Sequence, residues 1–160
     1  MSSRVQIAPE RLSEYDDQVL IGYHQFELRE MDTARILRLQ VPATLMTAGE
    51  GGACFLSAAD AHIVTVHLEV WSAQPDSNST RQWDLTEEAT ARFETTNLVF
   101  EGVTTSLGKA RIKLPAIGAY RIRAHVMGRQ AARDAEGGDL SRAYPTGLER
   151  WLIQLWPAQV

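Results

Sequence analysis

The sequence predicts an all-β protein, a sandwich of two mainly antiparallel sheets with at most one or two short helices. Several segments alternate apolar and polar residues with a period of two, which is typical of strands with one buried face. Glycine, proline and polar turn residues separate these segments. With 160 residues, 44% of them hydrophobic and 22% charged, the chain has enough apolar surface for one core. We therefore expect a single β-sandwich domain over residues 1–160.

The first predicted strand, residues 19–28, is apolar on both faces, and so is the last, residues 151–156. Strands of this kind lie where both faces of a sheet are covered, so both are predicted to be interior strands. Residues 1–17 carry many charges and are predicted as an N-terminal segment. Three weaker strand predictions are residues 35–41, 53–57 and 98–103.

The clearest alternation covers Ile63–Trp71. Val66 falls on its apolar face and Thr65 on its polar face, so Val66 is predicted to be buried and Thr65 to point outward. The polar residues 72–81 that follow include Pro75 and are predicted as a loop.

One short helix is predicted at Leu85–Phe93. Asp84 precedes it as a candidate N-cap and Glu87 follows three residues later, which is the capping-box pattern. Residues 130–146 carry two glycines among charged side chains and are predicted as a mobile loop.

Residues 110–114 and 119–127 both alternate, and Pro115 and Gly118 supply a turn between them. They are predicted as a β-hairpin with Ile122 on its buried face. Its outer face would carry Arg111, Lys113, Arg121, Arg123 and His125. This cationic stripe suits an acidic partner, but the sequence favours a solvated sheet face whose charges oppose edge-to-edge aggregation.

Charge and composition exclude several classes of protein. The net charge is −4, so there is no excess of cations for a phosphate backbone, and nucleic-acid binding is not expected. No apolar stretch approaches the roughly 18 residues of a membrane span, and residues 1–18 contain no apolar h-region, so a secretory leader is not expected. The single cysteine, Cys54, excludes an intrachain disulfide. We expect a cytoplasmic protein.

No catalytic or cofactor motif occurs, so no catalytic residue, cofactor or metal is predicted. His67 and Glu69 share one strand face and could provide two metal ligands, but zinc needs three or four. Cys54 is predicted to be a buried small hydrophobe, because a nucleophilic cysteine needs a positioned base that the sequence does not show. The four tryptophans are predicted to serve the core, with ligand stacking as the alternative.

The candidate partner-binding residues are Arg121, Arg123, His125, Glu87 and Glu88. They combine the cationic hairpin with the most acidic part of the neighbouring segment. An acidic surface that mimics nucleic acid is the opposite hypothesis. It rests on four residues, Asp16, Asp17, Glu87 and Glu88, which are too few to support it.

Three segments resemble the competence protein J (ComJ) family. Tyr23, Gln25 and Phe26 match an early apolar–Tyr–x–Gln–Phe pattern, and residues 118–122 resemble a Gly–x–Tyr hairpin. Residues 151–157 are similar to the closing strand of uncharacterised bacterial relatives. Together they cover about a fifth of the chain. The resemblance implies a small cytosolic β-sandwich that inhibits a DNA-entry nuclease by binding it, as related immunity proteins neutralise toxins. It implies no particular binding residue.

Three functions remain open. The first is a non-catalytic inhibitor or immunity-type protein whose partner is a nuclease or toxin. The second is a sandwich that binds a small ligand or carbohydrate through its tryptophans. The third is an enzyme with dispersed residues, with Cys54 or the His67–Glu69 pair as candidates. The resemblance and the missing motifs favour the first.

Overall fold

A computed structural model describes residues 8–31, 39–77, 82–102, 107–138 and 143–159. The described residues form two five-stranded sheets and one short helix, which confirms the all-β sandwich. Sheet A has the strand order β1-β5-β10-β9-β6, and sheet B has the order β3-β4-β2-β7-β8. The elements are β1 (Arg11–Leu20), β2 (Gln25–Glu30), β3 (Met46–Gly49), β4 (Gly52–Leu56), β5 (Ile63–Trp71), β6 (Leu85–Phe93), β7 (Asn97–Gly102), β8 (Ile112–Lys113), β9 (Gly118–Met127), α1 (Arg129–Ala135) and β10 (Thr146–Pro157).

Neighbouring strands are antiparallel except for β5 and β10, which pair in parallel at the centre of sheet A. β10 contains residues 151–156, so their prediction as an interior strand is confirmed. Their both-sided apolar pattern arises because one face lies on the core and the other is also covered. Among the described residues, no helix is long and apolar enough to cross a membrane.

The core lies between the two sheets. Val66 of β5 and Ile122 of β9 are buried as predicted. An aromatic cluster joins the sheets: the Trp151 ring of β10 meets the Phe26 ring edge-on at 5.0 Å and the Phe55 ring at 5.6 Å. Such edge-to-face pairs add stability beyond the area they bury. Trp151 and Trp156 are buried, as predicted for the tryptophans, whereas Trp71 and Trp83 are half-buried.

The prediction of one strand over residues 19–28 was wrong. β1 ends at Leu20 in sheet A, and β2 begins at Gln25 in sheet B. A tight turn between them carries the chain from one sheet to the other. β1 also starts at Arg11, so the predicted N-terminal segment 1–17 contributes an edge strand.

The predicted helix at Leu85–Phe93 was also wrong, because these residues form strand β6 at the edge of sheet A. The capping-box pattern is local. The alternation of Ala89, Ala91 and Phe93 toward the core decides the conformation once β6 pairs with β9. Tertiary pairing overrides weak helix propensity here.

The predicted hairpin of residues 110–114 and 119–127 does not form. β8 is two residues long and pairs with β7 in sheet B, whereas β9 lies in sheet A. Residues 114–117 therefore connect the two sheets. The predicted loop over residues 130–146 is wrong for residues 130–135, which belong to helix α1, and residues 139–142 of that prediction lie outside the described residues.

The three weaker strand predictions have different outcomes. Leu98 to Gly102 lies in β7 and Ala53 to Leu56 in β4, which confirms two of the three weaker strands. Residues 39–41 form no strand, and residues 35–38 of that third prediction lie outside the described residues.

Candidate functional site

The candidate partner-binding residues do not form one exposed patch. Arg121, Arg123, His125 and Glu88 lie on the face of sheet A turned away from sheet B, here called the outer face. Glu87 lies on the opposite face of β6, where it accepts hydrogen bonds from the Met46 N–H at 2.9 Å and the Thr44 hydroxyl. The structure thus brings four of the five together.

Two of these four are buried, contrary to the predicted solvated face. Arg123 is 5% exposed and His125 is 4% exposed. The connection from β5 to β6 covers them, because the Arg123 guanidinium donates to the Pro75 carbonyl oxygen at 3.3 Å. Only Arg121 and Glu88 offer substantial surface, so a role in partner binding stays a prediction for all five.

A buried polar network runs across the outer face. Arg123 approaches Glu88 at 3.6 Å and Gln154 at 3.5 Å, and its guanidinium lies 4.9 Å from the centre of the Trp156 ring. Gln154 in turn donates to Glu69 at 2.9 Å. Arginine stacked on an aromatic ring and paired to acceptors is a stable arrangement, so Arg123 serves the structure of this face.

The other end of the outer face carries a stacked pair of rings. The Trp83 ring lies 5.1 Å from the His125 ring at an interplanar angle of 25°. His125 Nδ1 is 2.7 Å from the Thr86 hydroxyl, and no described residue provides a hydrogen-bond partner for Trp83 Nε1. Burial lowers the pKa of His125, so the ring is neutral at neutral pH.

An open groove of about 1120 Å³ follows the outer face of β1, β5 and β10. Trp83 and Leu152 supply apolar lining, and Thr65, His67 and Glu69 supply polar lining. A groove with aromatic and polar walls has the character of a small-molecule site, although it is shallower than an enclosed pocket.

His67 stands among three carboxylates at the edge of this groove. Its Nδ1 is 2.8 Å from Asp16, and its Nε2 is 3.3 Å from Glu14 and 3.7 Å from Glu69. Glu14, His67 and Glu69 could therefore offer three metal ligands, one more than the sequence indicated. However, Arg11 lies 3.2 Å from Glu14 and 3.3 Å from Glu69, so a guanidinium already offsets part of the negative charge of this cluster.

Hydrogen bonds also stabilise the ionised form of the buried Glu69 carboxylate. Burial raises its pKa, but donors from Gln154, Trp71 and Arg11 outweigh that effect and lower the pKa below its usual value. A carboxylate that accepts several hydrogen bonds is held ionised and occupied. Glu69 therefore shows no sign of the raised pKa that marks a general acid.

A serine–histidine pair lies in the loop between β4 and β5. Ser57 Oγ is 2.8 Å from His62 Nε2, the distance expected of a nucleophile and its base. Both residues are only 2% exposed, and among the described residues no side chain accepts or donates a hydrogen bond at His62 Nδ1 to orient the ring. The nearby Glu149 accepts hydrogen bonds from Ala58 and Trp151 instead. Sequence analysis missed this pair, since no local motif marks it.

Cys54 is buried at 4% exposure, as predicted, and its thiol lies 3.4 Å from Gln25 Oε1. Burial, aided by the charge of Glu27, raises the pKa of the thiol to about 12. The thiolate needed for nucleophilic or metal chemistry is then scarce at neutral pH.

Two solved structures resemble this chain. The crystal structure of ComJ from Bacillus subtilis, an inhibitor of the DNA-degrading activity of NucA, matches with a TM-score of 0.60 over 95% of this chain and 100% of ComJ. This chain has the ComJ fold. A structure named crocagin biosynthetic gene J matches with a TM-score of 0.56 over 96% of this chain and 100% of that protein.

The likeness to ComJ is one of fold, since the sequence identities are 12% for ComJ and 13% for the second structure. It confirms the structural part of the resemblance seen in the sequence. No protein-family model and no curated protein matches this chain. The same fold serves two differently named proteins, so function depends on the residues that each presents.

Proposed function

We propose that this protein binds and inhibits a nuclease or nuclease toxin in the cytoplasm and has no catalytic turnover of its own. The observation that carries the proposal is the match to the nuclease inhibitor ComJ over its whole length. The match covers 95% of this chain and 100% of ComJ. A shared fold supports a shared type of function, but it does not identify the partner.

The chemistry of the described side chains supports a non-catalytic role. The three arrangements closest to a catalytic centre are Cys54, the Ser57–His62 pair and His67. The first has a raised thiol pKa, the second is buried, and both ring nitrogens of the third already face carboxylates, Asp16 at Nδ1 and Glu14 at Nε2. An active site needs a reachable nucleophile or base beside an open position for the substrate.

We expect a gene for a nuclease or nuclease toxin to adjoin the gene for this chain, and the direct test uses its product, called the neighbouring nuclease below. DNA degradation by the neighbouring nuclease is followed while the purified chain is added in increasing amounts. We expect activity to fall linearly to zero at one equivalent. An unrelated nuclease serves as the control and should keep its activity. Full activity at a tenfold excess of this chain would contradict the proposal.

The groove on the outer face favours a second candidate, a protein that binds a small ligand. Native mass spectrometry of the freshly purified protein tests for a bound compound. Tryptophan fluorescence, compared between the wild type and Trp83→Phe, then shows whether the compound lies in the groove. A stoichiometric compound there, together with no nuclease inhibition, would favour this candidate.

A further inference from the structure

The turn that joins β1 to β2 has a strained backbone. Its residues are 22–25, and the Gln25 N–H donates to the Gly22 carbonyl oxygen at 3.3 Å. The two central residues, Tyr23 and His24, have φ angles of 56° and 62°. Two successive left-handed residues are typical of a type I′ turn, which strongly prefers asparagine and glycine. A bulky tyrosine is unfavourable in this conformation.

The loop between β4 and β5 holds this turn in place. The Ser57 N–H donates to the His24 carbonyl oxygen at 2.7 Å. The Ile21 N–H donates to the His62 carbonyl oxygen at 2.9 Å, and the Ala61 N–H donates to the Ile21 carbonyl oxygen at 3.1 Å. Ala61 also has a positive φ, of 52°. In the described part of the chain, every non-glycine residue with positive φ therefore lies in these two touching segments.

The strain does not serve to bury an apolar side chain. Tyr23 is 67% exposed, the highest value among the large hydrophobic residues of the described segments. His24 is anchored beside it, since its Nε2 is 3.2 Å from the carboxylate of Glu136, just beyond α1. The turn therefore presents the Tyr23 ring to solvent from a braced support.

Strained backbone persists where the surrounding structure enforces it, and it concentrates at functional sites. Tyrosine is also one of the residue types that dominate binding energy at protein interfaces. Its large ring has few rotatable bonds, so a rigid support lowers the entropy lost on binding. Tyr23 therefore combines a strained backbone, an exposed ring and a turn held in place by hydrogen bonds.

We propose that the Tyr23–His24 turn is the partner-binding site of this protein, with the Tyr23 ring inserting into a concave apolar site on the nuclease. The inference rests on the proposed function, because it assigns the surface that such an inhibitor would use. It differs from the charged residues singled out in the sequence, which lie on the outer face of sheet A.

The test replaces the turn by the pair that its backbone prefers, Tyr23→Asn with His24→Gly. Relief of left-handed strain should raise the equilibrium constant for folding by about 5- to 30-fold, measured by urea denaturation. The same variant should inhibit the neighbouring nuclease about 30-fold less tightly, the loss expected for a hot-spot residue. Tyr23→Ala should show the same loss of inhibition.

Ile117→Asn is the matched control, because Ile117 is 64% exposed and precedes β9 at the opposite end of the sandwich. It should leave inhibition unchanged. A wild type that inhibits, with an Asn-Gly variant that inhibits equally well, would overturn this inference and leave the proposed function intact. An Asn-Gly variant no more stable than the wild type would overturn it without reference to any partner. A wild type that does not inhibit removes the proposed function, and this inference with it.

Discussion

Glu149 and Arg129 form a buried ion pair whose energetics can be worked out from the structure. Glu149 is fully buried, and one carboxylate oxygen accepts the Trp151 indole N–H at 2.7 Å. The other accepts the Ala58 N–H at 2.9 Å and lies 3.8 Å from the Arg129 guanidinium. Arg129 also donates to the Leu56 carbonyl oxygen at 3.0 Å, so the pair ties β10 to α1 and to the end of β4.

Glu149→Gln removes the negative charge nearest to Arg129 and leaves the buried guanidinium with only the weaker attraction of Asp84. Burial lowers the pKa of Arg129, and the charge of Glu149 opposes that shift, so the guanidinium depends on this partner. Breaking a buried pair on one side costs about 3–5 kcal/mol of unfolding free energy. Arg129→Met should cost about 3 kcal/mol, since Glu149 keeps its two N–H donors.

The double variant Arg129→Met with Glu149→Gln shows whether the cost of each single variant comes from the loss of the ion pair or from a general disruption of packing. Because neither charge is then stranded, its cost should fall short of the summed single costs by about 1–3 kcal/mol. Urea denaturation followed by both circular dichroism and tryptophan fluorescence gives each free energy, with an unchanged m-value as the check on two-state behaviour. Additive costs, or single variants that cost under about 1 kcal/mol, would refute the reasoning.

Three further predictions concern packing, pH and the thiol. In urea denaturation, Val66→Ala should lower the unfolding free energy by about 2 kcal/mol, and Thr65→Ala should lower it by less than about 0.5 kcal/mol. The reverse order would show that the wrong face of β5 has been assigned to the core. Burial lowers the pKa of His62 and His125 from 6.5, so the unfolded chain takes up their protons first as the pH falls. Stability should be complete above pH 6.5 and decline below it, by up to about 1.4 kcal/mol per pH unit for each histidine, and equal denaturation midpoints at pH 7.5 and 5.5 would contradict this. Cys54 should react with a thiol reagent only after unfolding, and rapid modification of the native protein would disprove its burial.

Local sequence pattern determined which residues of a strand share a face. The alternation in Ile63–Trp71 placed Val66 inward, and the both-sided apolar pattern of residues 151–156 placed that strand in the middle of a sheet. These inferences hold because side chains on a strand point alternately to its two faces, whatever the strand pairs with. The absence of a second cysteine and the lack of catalytic motifs were also readable from the sequence alone.

The tertiary structure decided which strands pair and what covers each face. β8 and β9 follow one another in the sequence but lie in different sheets, and β6 becomes a strand because β9 is beside it. The sequence alternation places the charged Arg123 on a solvent-facing side of its strand, but the connection from β5 to β6 covers it. The strain at Tyr23 likewise comes from a loop 33 to 41 residues away that holds the turn by backbone hydrogen bonds. Such contacts join residues distant in sequence, and a local period of two carries no information about them.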